Sequence, residues 1–217
     1  MKYILISVLT LLLSGCGFLS SFKPPAPQEP PPPDNSRAEL LLDATIALAT
    51  KDENVFCTGA VVERTFITAY HCVSDGRAVR GKYLGKWYDV VPYMKYEEVD
   101  LALIELVGAR PQRSLAVSTW DRIVGQKVAW AGYPLGDPHK HFFLGNISAL
   151  DNPHAPHYFD VDGQFIPGNS GGPIIDESGG LIGIISATSV WIFGIPQLVP
   201  IGHAVKAEYI RELLDKS

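Results

Sequence analysis

The chain is poor in the features that mark several protein classes. Lysine and arginine number 18 against 23 aspartate and glutamate, a formal net charge of −5, and no stretch gathers the basic residues into a cluster. That balance excludes nucleic-acid binding. No H-E-x-x-H is present to gather His139, His141, His154 and His157 around a metal. Those histidines therefore read as polar loop residues, and neither metal nor cofactor is expected. The first apolar run, residues 3–13, is too short to cross a bilayer comfortably. With 217 residues, 47% hydrophobic and 19% charged, the remainder is long enough and apolar enough to bury a substantial core.

What is present begins with a targeting segment. Met1-Lys2 followed by that apolar run reads as a signal peptide over residues 1–15. It ends in Leu13-Ser14-Gly15-Cys16, which resembles the lipobox of bacterial lipoproteins. The resemblance implies a lipid on Cys16, hence a membrane partner and a place in the cell envelope on the periplasmic side. Gly17 after Cys16 favours the outer membrane. The alternative is an ordinary secretory signal with a chance cysteine. Residues 16–36 hold Pro24, Pro25, Pro27 and the run Pro30 to Pro33, a density that forbids helix and ladder and favours an extended spacer. A ligand for a proline-binding module is the other reading of that run. Residues 37–217 form the folded domain.

The chemistry centres on Gly168-Asn169-Ser170-Gly171-Gly172-Pro173. Glycines on both sides of a serine let the backbone take shapes that side chains resist. The amides of Gly168 and Ser170 can then converge beside the hydroxyl as an oxyanion hole. A nucleophilic serine also needs a base, and the base needs an orienting acid. Thr68-Ala69-Tyr70-His71-Cys72 offers the base, His71, and Asp100-Leu101-Ala102-Leu103 offers the acid, Asp100.

In this order, at separations of 29 and 70 residues, the three segments resemble the signatures of chymotrypsin-like (trypsin-fold) serine proteases. The G-N-S-G-G-P form is closest to the HtrA-type bacterial branch. The resemblance covers about residues 42–215 and implies a Ser170–His71–Asp100 triad acting on a protein or peptide substrate. It also implies a disulfide between Cys57 and Cys72, which export to an oxidising compartment would allow to persist; two free buried thiols are the alternative. Gln164, Ser186, Thr188 and His203 fall at or near positions that line the family's substrate pocket. Gln164 supplies no carboxylate, so an uncharged or acidic residue before the scissile bond is expected. Asn169 stands where digestive relatives carry an aspartate that pairs with a freed N-terminus, so activation by that route is not expected. Nor is a PDZ domain, since no residue follows Ser217; oligomeric state stays open.

The strand pattern agrees with an all-β fold. Residues 45–49, 55–62, 65–69, 78–83, 86–93 and 101–107 read as the strands of one antiparallel barrel, at about 42–107. A link over 108–125 leads to strands at 127–133, 141–149, 157–161, 173–176, 180–188 and 197–204, the second barrel, at about 126–204. Apolar residues at 205, 209, 210, 213 and 214 are spaced for a C-terminal α-helix over about 205–215. The expectation is two six-stranded antiparallel β-barrels with that helix. Two other functions are compatible with the same residues: a catalytically silent binding protein on this fold, and a narrow-specificity processing enzyme or esterase.

Overall fold

Short apolar runs broken by polar pairs are the material from which the first half is built. The computed structural model describes residues 36–151, 155–163, 165–192 and 195–217, without the side chains of 187–192 and 195–200. The expected signal peptide, Cys16 and the proline-rich linker lie outside the described residues, save Ser36. Strand β1 is Thr45–Ala49, buried along its whole length. Strands β2 (Val55–Val62) and β3 (Thr65–Ala69) form a hairpin. Its turn residues Glu63 and Arg64 both have positive φ, as a two-residue hairpin turn with the right twist requires. Leu84 and Gly85 turn β4 (Arg80–Tyr83) into β5 (Lys86–Tyr96) in the same way. Strand β6 is Leu101–Leu106. These strands close into a barrel in the order β1-β2-β3-β6-β5-β4.

The second barrel comprises β7 (Lys127–Gly132), β8 (His141–Ala149), β9 (Tyr158–Asp162), β10 (Pro173–Ile175), β11 (Leu181–Ile192) and β12 (Ile195–Lys206). It closes in the order β10-β11-β12-β9-β8-β7. Its core is built around Trp130, stacked on Phe143 and met edge-on by Phe165. Such ring pairs add specificity beyond the apolar area they bury. The two expected barrels are thus what the chain forms.

Several boundaries differ from the sequence reading, among them β11, which runs on to Ile192. Strand β5 continues through Pro92 to Tyr96, with a register shift between Pro92 and Met94; a bulge is where a strand accommodates proline. Strand β12 continues through Val205 and Lys206, which pair with β11, so the C-terminal helix α2 begins at Ala207 and runs to Asp215. Val205 is therefore buried as a strand residue, while Ala207, Ile210 and Leu213 form the helix's inner face. An additional helix, α1 (Ser36–Asp43), precedes β1. At eight residues it is too short to be stable alone. Tertiary contacts hold it: Leu41 is fully buried and its carbonyl accepts the Thr45 hydroxyl, while Arg37 and Lys140 bond α1 to barrel two through Glu177 O and Leu42 O.

One core cluster runs from barrel one, through Ala129, Ala131, Ile175 and Ile184 of barrel two, to Ile210 and Leu213 of α2. The segment between the barrels touches both, with Leu115 bridging to Val62 and Val117 to Leu181. Cys57 on β2 and Cys72 are joined in a buried disulfide closing a separation of 15 residues. Replacing both with alanine should lower unfolding free energy by about 3 kcal/mol, the chain-entropy value for a loop of this size. A lower unfolding free energy from urea titration would register it; an unchanged value would mean that the bridge adds nothing to barrel one.

Candidate active site

His71 lies in a single turn of 3-10 helix, Tyr70–Cys72, directly after β3. Two things fix this turn: the Cys72 disulfide on one side and the bond from the Tyr70 amide to Asp100 O at 3.1 Å on the other. Asp100 ends another such turn, Glu97–Val99, with φ 59° and ψ 44°. A left-handed backbone is uncommon for a residue with a side chain and persists where the surroundings over-determine it. Here it carries the carboxylate to His71. Asp100 Oδ1 accepts the His71 amide at 2.9 Å, and Oδ2 lies 2.9 Å from His71 Nδ1. A carboxylate on Nδ1 favours the tautomer protonated there, which leaves Nε2 free to accept a proton. The His71 side chain is 45% exposed and that of Asp100 16%, so the imidazole is open to solvent while its partner is sheltered.

Burial by itself would raise the Asp100 carboxyl's pKa. The hydrogen bond from the His71 ring, its charge, the Ser186 hydroxyl and the His71 amide outweigh that, and Asp100 is held below the ordinary carboxylate range. Ser186, on β11, donates its hydroxyl hydrogen to Asp100 Oδ2.

Ser170 is half-buried on the loop that precedes β10. The loop is held by both barrels. From barrel one, the Thr58 amide donates to Ser170 O at 2.8 Å and the Thr58 hydroxyl to Gly168 O at 2.6 Å. From barrel two, Ile185 O accepts the Gly171 amide at 2.7 Å, and the Ile185 amide reaches Gly172 O at 2.9 Å. Ser170 O also lies 3.6 Å from Cys72 Sγ, a contact rather than a hydrogen bond because a disulfide sulfur carries no hydrogen. The His71 turn and the Ser170 loop are thus packed together. No hydrogen bond joins the Ser170 hydroxyl to His71 among the described residues.

The two glycines next to Ser170's peptide units are dictated by space. Gly168 has φ 101°, and a Cβ there would stand 2.2 Å from Tyr133 O. Gly171 has φ 84°, and a Cβ would stand 2.1 Å from Thr58 O. The Leu135 amide donates to Pro167 O at 2.6 Å. In a trans peptide that directs the Gly168 N–H the opposite way. The amides of Gly168 and Ser170 have no acceptor among the described residues, as two donors awaiting an oxyanion require. Asn169 between them is fully buried, and neither its side-chain nitrogen nor its side-chain oxygen has a hydrogen-bond partner among the described residues.

The structure brings His71, Asp100 and Ser186 into contact and packs Ser170 against the His71 turn. Of the other expected pocket residues, His203 lies on β12 with Nδ1 2.7 Å from Asp160 Oδ1 and its ring against Tyr158. Thr188 belongs to β11, where only its backbone is described, and Gln164 lies outside the described residues. Among the described residues the one cluster with metal-ligating atoms close together is Cys57, His71 and Cys72, whose thiols are consumed by the disulfide. His139 and His141 instead share the carboxylate of Asp137, whose pKa falls to about 2, chiefly through the bond from the His139 amide. Sequence reasoning missed Thr58, although it is the single polar residue in the apolar run V-F-C-T-G-A-V-V of β2. It also missed Leu135 and Tyr158, which carry no such signal.

Comparisons with known proteins concern the same residues. A family model described as a trypsin-like peptidase domain matches residues 57–184, more than half of the chain. The chain is 28% identical over 155 residues to an uncharacterized peptidase of Corynebacterium glutamicum (strain R), covering 63% of this chain and 55% of that one. It is 37% identical over 68 residues to the uncharacterized protein y4bJ of Sinorhizobium fredii, covering 30% of this chain and 11% of that one. The chain thus spans about half the length of the first relative and far less of the second. Among solved structures it resembles Rv3671c from M. tuberculosis H37Rv, crystallised as a serine-to-alanine mutant in an inactive form. The TM-score is 0.66 at 18% identity, over 84% of this chain and 90% of the other. At that identity the likeness concerns the fold.

The depressed pKa of Asp100 links the site to acid stability. A carboxyl with a lower pKa folded than unfolded stabilises the fold above its unfolded value, about 4. That contribution fades as pH falls through the folded value. Asp100→Asn should therefore be less stable than the parent at pH 7, with the gap closing towards pH 2 in urea unfolding. A gap independent of pH would show that the Asp100 charge does not contribute.

Proposed function

Given a chain that belongs to the family of trypsin-like peptidase domains, we propose that it is a serine endopeptidase working through Ser170, His71 and Asp100. The observation that carries this reading is the Asp100–His71 pair set against a Ser170 loop whose Gly168 and Ser170 amides have no acceptor among the described residues. In the proposed cycle Ser170 Oγ attacks the scissile carbonyl carbon while His71 Nε2 takes the hydroxyl proton. The carbonyl oxygen becomes an oxyanion bound by the Gly168 and Ser170 amides. Asp100 keeps the Nδ1 proton in place and stabilises the imidazolium. His71 then passes its proton to the leaving amine, and an acyl-enzyme remains on Ser170. Water, deprotonated by His71, releases the new carboxylate and restores the serine.

One observation favours a silent binding protein, the absence of a hydrogen bond between Ser170 and His71. Such bonds are often long in unliganded sites and tighten on substrate, so the endopeptidase reading is the better supported. The proposal extends to lipidation of Cys16, supported by the Leu-Ser-Gly-Cys sequence after the apolar run, and to a preference for a non-basic residue before the cleaved bond, supported by the uncharged Gln164.

Two measurements test these points. A fluorophosphonate probe should label the 217-residue chain and fail to label Ser170→Ala or His71→Ala. Either substitution should cut kcat on a cleaved peptide by on the order of 10⁶-fold; labelling that survives Ser170→Ala would place the nucleophile elsewhere. Labelled palmitate fed to expressing bacteria should enter the chain and be lost in Cys16→Ser; equal incorporation in both would remove the anchor.

A further inference from the structure

Ser186 has one hydroxyl hydrogen, and it goes to Asp100 Oδ2. An ionised carboxylate can only accept, so this direction is fixed. The Ser186 oxygen must then act as acceptor towards anything else, and the Tyr158 hydroxyl stands 3.0 Å from it. One arrangement of protons satisfies both bonds: Tyr158 donates to Ser186, and Ser186 donates to Asp100. Tyr158 opens β9, which pairs with β12, which in turn pairs with β11. The phenol ring is held on two sides. His157 meets it at a centroid distance of 4.2 Å, and His203 lies nearly parallel at 6.1 Å. His203 is in turn fixed by Asp160. The ring therefore has little freedom to aim its hydroxyl elsewhere, and burial keeps that hydroxyl protonated by pushing its pKa up.

We propose that Tyr158 is a positioning residue for the Asp100–His71 pair, acting through Ser186. The inference rests on the endopeptidase reading for its catalytic meaning, though the hydrogen-bond relay itself does not. Tyr158 touches neither the nucleophile nor the base. By donating to Ser186 it orients that hydroxyl and polarises its O–H bond, since hydrogen bonds in a chain reinforce one another. Ser186 then draws more charge from Asp100 Oδ2, the oxygen that also faces His71 Nδ1. Tyr158 thereby sets how much of the carboxylate's charge falls on the His71 N–H.

The test is Tyr158→Phe in the 217-residue chain, which removes one oxygen and keeps the stacked ring. Two readouts apply. In proton NMR, the low-field His71 Nδ1–H resonance should move downfield as Asp100 turns more of its charge to the imidazole. On a cleaved peptide, kcat should change on the order of fivefold, the rate equivalent of one neutral hydrogen bond, with KM unchanged. Ser186→Ala alone should reproduce both changes, and adding Tyr158→Phe to it should change neither, because the relay is already cut. An unmoved resonance in Tyr158→Phe overturns the proposal, as does an equal effect of that substitution with and without Ser186. The resonance needs no turnover, so a chain that cleaves no peptide would count against the endopeptidase reading alone.

Discussion

Thr58 is the residue through which the two barrels hold the Ser170 loop. It is fully buried on β2, beside the disulfide cysteine. Its amide donates to Ser170 O and its hydroxyl to Gly168 O, while the same hydroxyl oxygen accepts the Tyr133 amide at 3.1 Å. Its carbonyl accepts the Thr68 hydroxyl at 2.7 Å. One side chain from barrel one thus saturates a carbonyl of the loop and an amide of barrel two. Without it, two buried backbone groups would lose their partners, each costing about 1–3 kcal/mol. That penalty makes the loop's path a property of barrel docking and not of the loop's own sequence.

The same docking accommodates unusual backbone. Asp100, Leu135, Gly168 and Gly171 all have positive φ, and all four lie in or against the site. For the two glycines the conformation is easy and the space forbids anything larger. For Asp100 and Leu135 it carries a cost of about 1–3 kcal/mol each. The contacts that offset it are identifiable. Asp100 receives the His71 and Tyr70 backbone amides on its side chain and carbonyl, and the Leu135 amide is committed to Pro167 O. Strained residues therefore sit where they orient a carboxylate in one case and a peptide plane in the other.

Local pattern was enough to read the strands. β1, β2, β3 and β8 fall where alternation, apolar runs and turn residues put them, because hairpins of a barrel are specified by neighbours in sequence. The sequence pattern also picked out His71, Asp100 and Ser170, the first two of which the fold joins by hydrogen bonds. What was not legible depends on partners far along the chain. Helix α1 exists because Leu41 finds the barrel core and Lys140 finds the Leu42 carbonyl. Ser186 read as a pocket residue, whereas its hydroxyl is committed to Asp100, 86 residues away. The register shifts of β11 against β12 on either side of Ala187 are features which residue types alone do not announce. Tyr158 lies 28 residues before Ser186, and no motif links them.

The distribution of the site over two barrels has an electrostatic consequence. Asp100, from barrel one, takes donors from His71 of its own barrel and from Ser186 of the other. Burial alone would push this carboxyl towards neutrality; the donors from both sides keep it charged. Separating the barrels would remove Ser186, and with it the Tyr158 relay, while leaving the His71 turn and its disulfide intact on barrel one. The set of donors on the Asp100 carboxylate is therefore coupled to the packing of Ala129, Ala131, Ile175 and Ile184 against the first barrel. Whatever loosens that seam takes the Ser186 donor from Asp100 before any residue beside His71 is altered.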